Sequence, residues 1–424
     1  MRKPPYMPPI SKLTVRKFDA HRCDVDAVVP YATGISEGYS RPHGNTQLLN
    51  SAPADVGVRQ FQCKSERKAK RRVSVYKIAP LRDPRWEDFL HGEPRASIFH
   101  TDAWLEALRR TYGYDPVVYT TSPPGSELRN GIVFCQIKSW LTGCRFVSLP
   151  FSDHCEALVD DPQELRTILG ALEKGTEQSQ AWNYIEMRPL RHHEIKTNFH
   201  ESTCNYVLHR LDLAPSPSQL FGAFHKDSTQ RKIRRAEREG LGYEHGRSES
   251  LLLIFYRLLI LTRRRHGVPP QPLAWFRNLI DCLGEALQIR IAFHGSRPIA
   301  AILTLRYKDT LLYKYGCSDE RFHSLGGVQS LIWKSIQEAN GAGLSTLDFG
   351  RSDCDNEGLI RFKDRWGTIR SSLTYSRYTT SAHSPDNYKP RESQWTLRIA
   401  KRLLSHAPGK VLSMAGDALY KHIG

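Results

Sequence analysis

Two short runs in the last third of the chain hold charged side chains at close spacing: Ser345-Thr-Leu-Asp-Phe-Gly-Arg-Ser352 and Leu359-Ile-Arg-Phe-Lys-Asp-Arg-Trp-Gly367. When an amine attacks a thioester or an ester, negative charge develops on the carbonyl oxygen. A fixed lysine or arginine beside that oxygen stabilises it. Lys363, Arg351 and Arg361 fall just past a strand end, where such groups are often presented. Asp348 and Asp353 are of the type that orients a nucleophilic amine or takes its proton. The competing reading of all five is a set of surface ion pairs, which are common and contribute little.

Ahead of these runs, Ser324-Leu325-Gly326-Gly327-Val328 leads into a helix. Glycines there leave backbone N–H groups exposed, and a helix N-terminus adds roughly half a positive charge. That suits the pyrophosphate of an acyl carrier such as coenzyme A, although a plain tight turn uses the same residues. Further upstream, Arg231, Arg234, Arg235 and Arg238 recur at helical spacing while Ile233 and Ala236 face elsewhere. Such a stripe can clamp the phosphates of tRNA, of a nucleotide-linked sugar or of an undecaprenyl-linked pyrophosphate. It can equally be a solvated face paired with Glu237 and Glu239. Arg263–Arg265 presents the same choice. Asp153-His154, in a loop of the first half, and Tyr315, near the end of the strand before the glycine turn, join Asp348 as candidate acceptor-side residues. A histidine beside an aspartate is also a frequent structural pair.

These residues need a frame. Residues 1–72 show no clear period, carry the basic run Lys64–Arg72, and read as a flexible extension. From Val73 the pattern alternates: strands at Val73–Ile78, Asp115–Thr120, Gly131–Ser139, Cys144–Leu149 and Trp182–Arg188, with helices at Thr101–Thr111 and Pro162–Lys174. A second unit starts near Tyr206. It has a helix start at Pro215–Leu220, a basic helix at Asp227–Gly240, and helices at Leu251–His266 and Leu273–Leu287. A meander follows at Ile289–His294, Ile299–Tyr307 and Thr310–Cys317, then a helix from Val328 to Asn340 and strands at Thr346–Phe349 and Ser371–Arg377. The two halves share a rough element order, which hints at a duplicated α/β (α+β) fold. Residues 381–424 read as a tail of basic amphipathic helices at Trp395–Leu404 and Leu412–Ile423, which either lie on an anionic membrane or pack back on the domain.

At ~100–200 residues per domain, 424 residues make about two or three domains. A hydrophobic share of 40% and a charged share of 25% allow an ordinary core and exclude a disordered chain. The net charge of +17 favours anionic partners without choosing among nucleic acid, phosphorylated cofactors and acidic lipid. The nine cysteines are scattered and form no CxxC pair, so a zinc ribbon is excluded and reduced, buried thiols are expected. No apolar run approaches the ~18 residues needed to span a bilayer. The first twenty residues lack the apolar core of a secretory signal. A cytoplasmic chain is expected, with contact to the inner face of a membrane left open. The absence of HExxH, GxSxG, Walker A and GxGxxG patterns argues against metalloprotease, α/β-hydrolase, P-loop and dinucleotide chemistry.

Three separated segments resemble one family. Phe224–Leu241 (FHKDSTQRKIRRAEREGL) resembles the basic helix of FemAB-like transferases. Leu312–Trp366 resembles their C-terminal signature, with a Tyr-x-Tyr-Gly strand, a glycine loop, a helix, Leu-Asp-Phe-Gly-Arg-Ser, and Arg-Phe-Lys-x-Arg-Trp-Gly. Phe146–Cys155 resembles the segment that closes the N-terminal part of their acetyltransferase relatives. The resemblance implies tandem GNAT-like domains, at 73–205 and 206–380, each a mixed twisted sheet flanked by helices. It implies transfer of an acetyl or aminoacyl group, from acyl-CoA or aminoacyl-tRNA and without a metal, to an amine of a cell-envelope or exopolysaccharide precursor. It makes Lys363 the leading catalytic residue, with Arg351 and Asp353 in support. Two features depart from the family: the long coiled-coil arm linked to tRNA contact is missing, and Phe322-His-Ser-Leu-Gly-Gly327 has fewer glycines than the fullest GNAT loop. Both donors therefore stand. The rival reading is a degenerate GNAT pair that binds nucleic acid or anionic lipid without chemistry.

Overall fold

The computed structural model describes residues 73–140, 143–179, 184–191, 200–379 and 402–423. The expected extension at 1–72 and the tail segment 381–401, which holds most of the expected helix Trp395–Leu404, lie outside the described residues. The first half runs β1 (Tyr76–Ile78), α1 (Arg85–Gly92), α2 (Asp102–Tyr112), β2 (Pro116–Thr120), β3 (Ile132–Ser139), β4 (Gly143–Val147), α3 (Pro162–Ser179) and β5 (Tyr184–Met187). The second runs β6 (His200–Asp212), α4 (Pro217–Ala223), α5 (Arg231–Arg238), β7 (Gly242–Gly246), α6 (Glu249–Arg265), α7 (Leu273–Leu283), β8 (Leu287–His294), β9 (Arg297–Tyr307), β10 (Thr310–Ser318), α8 (Gly327–Gly341), β11 (Thr346–Asp353), α9 (Glu357–Asp364) and β12 (Ile369–Thr379), with α10 (Gly409–Ile423) after it.

Local chemistry sets the element ends. In α2, Trp104, Leu105, Ala107 and Leu108 are buried, Thr101 caps the Trp104 N–H, and Gly113 at φ 72° closes the helix. The helix expected at Leu273–Leu287 stops earlier, at Leu283, because Gly284 turns to φ 51° and frees Leu287 to start β8. The basic helix expected at Asp227–Gly240 is present, but its first turn is π-helical and its last helical residue is Arg238. A wide turn at Lys226–Gln230, fastened where His225 Nδ1 accepts from the Ser228 N–H, precedes α5.

Twelve strands join one mixed sheet in the order β1-β2-β3-β4-β5-β12-β6-β11-β10-β9-β8-β7. One unit occurs twice. In the first half β2, β3 and β4 form an antiparallel meander, and β4 then pairs parallel to β5 across α3. In the second, β8, β9 and β10 do the same, and β10 pairs parallel to β11 across α8. The duplicated mixed α/β architecture is therefore present. The halves are interleaved rather than strung in line. β12 pairs with β6 from Ile369↔Arg210 to Thr379↔His200 and also with β5 of the first half. The expected boundary between residues 205 and 206 falls inside β6. A shared core fastens the halves further: Trp104 of α2 meets Trp275 of α7 edge-on at 5.2 Å.

The last helix packs on its own chain. Arg145 Nη2 donates to the His422 carbonyl at 2.8 Å, Tyr114 OH to that of Lys421 at 2.9 Å, and Tyr420 OH to that of Pro269 at 3.1 Å. Gly416 lies so close to the Pro270 carbonyl that a Cβ there would stand 2.0 Å from it. No helix among the described residues is long and apolar enough to cross a membrane.

Candidate active site

The site begins where two parallel strands part. β10 and β11 pair only at Thr310–Leu312 and Thr346–Asp348, although both run on for several residues. Each strand breaks register with its other neighbour just beyond that point. β10 does so between Tyr313 and Tyr315, and β11 between Asp348 and Arg351. Bulges of this kind bend a strand and re-aim its side chains. The bulge in β11 contains Gly350 at φ 67°.

A segment of the first half enters this fork. It follows β4 and is held in an uncommon conformation, with Leu149 and Phe151 both at positive φ. Asp153 Oδ2 lies 2.6 Å from Lys314 Nζ, which also donates to the Phe151 carbonyl at 2.8 Å. The ammonium sits 5.0 Å above the Phe99 ring and 5.7 Å above that of Trp104. Tyr375 OH donates to the Asp153 carbonyl at 2.6 Å. A Cβ on Gly350 would stand 3.2 Å from the Asp153 carboxylate, so the positive φ and this close approach both select glycine. Burial alone would raise the Asp153 pKa, but the charge of Lys314 holds it below the usual value. Burial pushes Lys314 down further than Asp153 restores it.

Asp348 and Lys363 fix the bulge from its two sides. Asp348 Oδ1 accepts the Gly350 N–H at 2.7 Å, while Oδ2 accepts from His154 Nε2 at 3.3 Å and Arg210 Nε at 3.2 Å. Burial would raise this carboxyl, yet the hydrogen bond from His154, then Arg210 and the Gly350 N–H, lower it to about 2. Lys363, from α9, is 2% exposed and donates to the carbonyls of Gly350 at 2.8 Å and Arg351 at 2.9 Å. Burial pushes its pKa down to about 8, with Asp153 and Asp348 opposing. Arg351 stacks over Tyr206 at 4.3 Å and Tyr375 at 5.3 Å.

A cavity lies on each side. One, of about 240 Å³, is lined by Gly327, Val328 and Gln329 at the start of α8, with Lys232, His323 and Phe362. Phe362 precedes Lys363 on α9. Burial lowers the pKa of Lys232, helped by the cations Arg365 and Arg231. The other cavity, of about 220 Å³, lies between the halves at the closed end of the fork, with Arg95, Phe99, His154, Arg210, Thr346 and Asp348 in its wall. His154 Nδ1 is buried and makes no hydrogen bond.

The fork thus gathers Lys363, Arg351, Asp153, His154 and Asp348 from the sequence-derived candidates. Others fall elsewhere. Tyr315 belongs to the core, packed on Phe276 with its hydroxyl taking the Trp275 Nε1–H at 3.1 Å, because the bulge at Lys314 shifts its place in the strand. The Asp353 side chain is 61% exposed and reaches only Arg351, at 3.4 Å. Arg361 is exposed and tied to Glu357 one turn away, because the run around it is a helix and not the loop past a strand that its spacing suggested. Arg231 is exposed on α5, and Arg235 pairs with Glu239 at 3.4 Å. Of the five loop residues, Gly327 and Val328 line the α8 cavity. Ser324 is exposed and Leu325 is buried in the core. Gly326, at φ 76°, lets the loop pass the Lys232 carbonyl, which a Cβ would meet at 2.3 Å. Lys314, Arg210 and Lys232 were missed by the sequence reading. Lys314 had a signal: a lone charge inside the apolar strand Leu311-Leu-Tyr-Lys-Tyr-Gly-Cys317.

Residues 223–364 match the family model of the acetyltransferase (GNAT) domain. No curated protein matches the sequence. Among solved structures, FemX aligns over 73% of this chain and 98% of its own, with a TM-score of 0.55 at 14% identity. A conserved protein of unknown function from Bacteroides thetaiotaomicron aligns over 73% and 100%, with a TM-score of 0.50 at 12% identity. A tandem GNAT protein from the clavulanic acid biosynthesis pathway aligns over 72% and 98%, with a TM-score of 0.46 at 11% identity. Identities this low speak for the fold alone. The domain match takes in β10, α8, β11 and the Lys363 helix, so residues 223–364 are similar to a GNAT acetyltransferase domain, set in a fold similar to that of FemX.

Proposed function

We propose that the protein moves an acetyl or aminoacyl group from acyl-CoA or aminoacyl-tRNA to an amine of a cell-envelope or exopolysaccharide precursor, by direct attack and without a covalent enzyme intermediate. The donor's phosphates sit at the start of α8 beside Lys232, where backbone N–H groups and a partly buried ammonium face the same cavity. The acceptor approaches from the cavity between the halves. Lys363 uses two of its three N–H groups on the bulge carbonyls, and the third serves the developing oxyanion. His154, with Nε2 committed to Asp348, has Nδ1 free to take the amine proton. The acyl–sulfur or acyl–oxygen bond of the donor then breaks as the coenzyme A thiolate or the tRNA hydroxyl oxygen leaves and takes up a proton. The envelope acceptor rests on the resemblance of Leu312–Trp366 to FemAB-like transferases.

The observation that carries this reading is the fork itself, a buried lysine at a bulge whose neighbours Phe362 and Asp348 each line a cavity. Its test is transfer of labelled acetyl from acetyl-CoA, and of labelled amino acid from charged tRNA, to amino-sugar and peptide acceptors. One donor is expected to support turnover and to raise the Tm of the protein by mass action. Transfer from neither, together with no stabilisation by either, would refute the proposal.

A further inference from the structure

Four of the seven large apolar side chains that remain exposed among the described residues, Trp140, Leu403, Val411 and Met414, lie on or beside α10. The other three are Val73, Leu253 and Ile369. Trp140, at 81% exposure, caps the hairpin between β3 and β4. Val411 and Met414, at 51% and 70%, lie on α10, and Leu403, at 68%, lies in the helical stretch 402–406 before it. At about 100° per residue, Val411, Met414 and Ala418 share one face of the helix. Leu412 and Gly416 form the docked face, buried against the domain. His422 comes three turns after Val411 and in line with it. The Trp140 ring stands 5.7 Å from the ring of His422, which is itself buried, so the exposed Trp140 side chain covers the end of that face.

Cations flank the stripe. Lys410 and Lys421 are exposed on α10 and outnumber the acid Asp417. Lys138 is exposed two residues before Trp140, and Arg402 beside Leu403. The whole chain carries +17, so a second copy of it would be repelled while an anionic surface would be drawn in. An exposed tryptophan beside an amphipathic helix, with lysines near both, is the arrangement that lies at a membrane–water boundary.

We propose that this surface seats the protein on an anionic phospholipid bilayer. Trp140 and Met414 enter the headgroup boundary, and Lys138, Arg402, Lys410 and Lys421 face the lipid phosphates. The inference does not depend on the transferase reading, since it concerns where the protein works and not what it transfers.

The test is co-sedimentation of the full chain with phosphatidylcholine vesicles, with and without phosphatidylglycerol. The wild type is expected to sediment with the anionic vesicles and to be released by salt. Trp140→Ser with Met414→Ser should lower partitioning by about tenfold per side chain. Lys410→Gln with Lys421→Gln should lower it by about fivefold per lysine. Both pairs are exposed, so thermal melts and turnover on a soluble acceptor should stay at wild-type values. A wild type that remains in the supernatant overturns the proposal. So does a Trp140→Ser/Met414→Ser variant that sediments like the wild type, because bulk charge would then suffice. A concentration-dependent dimer abolished by that variant, without vesicle binding, would overturn it in favour of a contact between copies.

Discussion

Replacing Lys363 by methionine keeps the buried stem and removes the ammonium. In the proposed reaction that takes away one donor to the oxyanion. Loss of such a donor costs about 10²–10³ in kcat, or roughly 3–4 kcal/mol. The same change also removes two hydrogen bonds to the carbonyls of Gly350 and Arg351, at about 1 kcal/mol each. The pH dependence of stability separates the two effects. In the unfolded chain Lys363 titrates near its ordinary 10.5, and in the folded protein near about 8. Below the folded value both states hold the proton, and the fold bears the whole cost of burying the charge, on the order of 3 kcal/mol. Between about 8 and 10.5 only the unfolded state holds it, so this contribution makes stability rise with pH. The variant lacks that rise. Its Tm deficit against the wild type should therefore widen from about pH 7 to about pH 10, read by thermal melts across pH. Turnover of the wild type, measured at saturating donor, should fall as pH climbs through about 8 and the ammonium is lost. In Lys363→Arg, always protonated, that limb should vanish even if the rate is low. A folded Lys363→Met that turns over within about threefold of the wild type would sink the catalytic role, since oxyanion donors are worth far more than that.

Gly326→Ala forces a Cβ to 2.3 Å from the Lys232 carbonyl at φ 76°; a stability loss of about 2 kcal/mol or more is expected by denaturant titration, with weaker donor binding by calorimetry. Asp153→Asn leaves the buried Lys314 ammonium without its counter-ion and should cost about 3–5 kcal/mol. Adding Lys314→Met should recover part of that loss, and a double-mutant cycle that shows strict additivity would contradict the pairing. Tyr315→Phe should leave turnover unchanged and cost about 1 kcal/mol in stability, because it removes one core hydrogen bond from Trp275.

What could be read from the sequence was local. The meander β8–β9–β10 was legible because alternating apolar residues meet turns at Gly295-Ser296 and Lys308-Asp309, all within thirty or so residues. α9 was not, because eight residues give too few turns for a period to show, and its lysine was flagged by its charge and by the family resemblance, not by any helical pattern. β6 was passed over because its outer half, His200–Asn205, is mostly polar and its partner β12 lies far along the chain. The same limit hid the centre of the site. Asp153 and Lys314 are 161 residues apart, and only the pairing of the strands brings them to 2.6 Å. Hydrophobic periodicity gives the faces of elements but not their register with distant partners.

That distance bears on what the first half is for. The GNAT match begins at residue 223 and ends at 364, yet the fork is incomplete within those bounds. β11 would lose β6 along Thr346–Asp353 and present an open strand edge, a site for aggregation. Lys314 would lose both Asp153 and the Phe151 carbonyl, its two oxygen partners. Removing one partner of a buried pair costs about 3–5 kcal/mol, which rivals the ~5–15 kcal/mol that holds a whole domain together. Asp348 would lose His154 and, with β6, Arg210. The first half therefore supplies the carboxylate that pairs with the buried lysine of the fork. A fragment of residues 223–364 is expected to be insoluble or inactive. Its soluble yield, Tm and turnover can be compared directly with those of the full chain. A soluble fragment with wild-type turnover would show that Asp153 and the strand exchange are dispensable, and that the catalytic unit is the single domain after all.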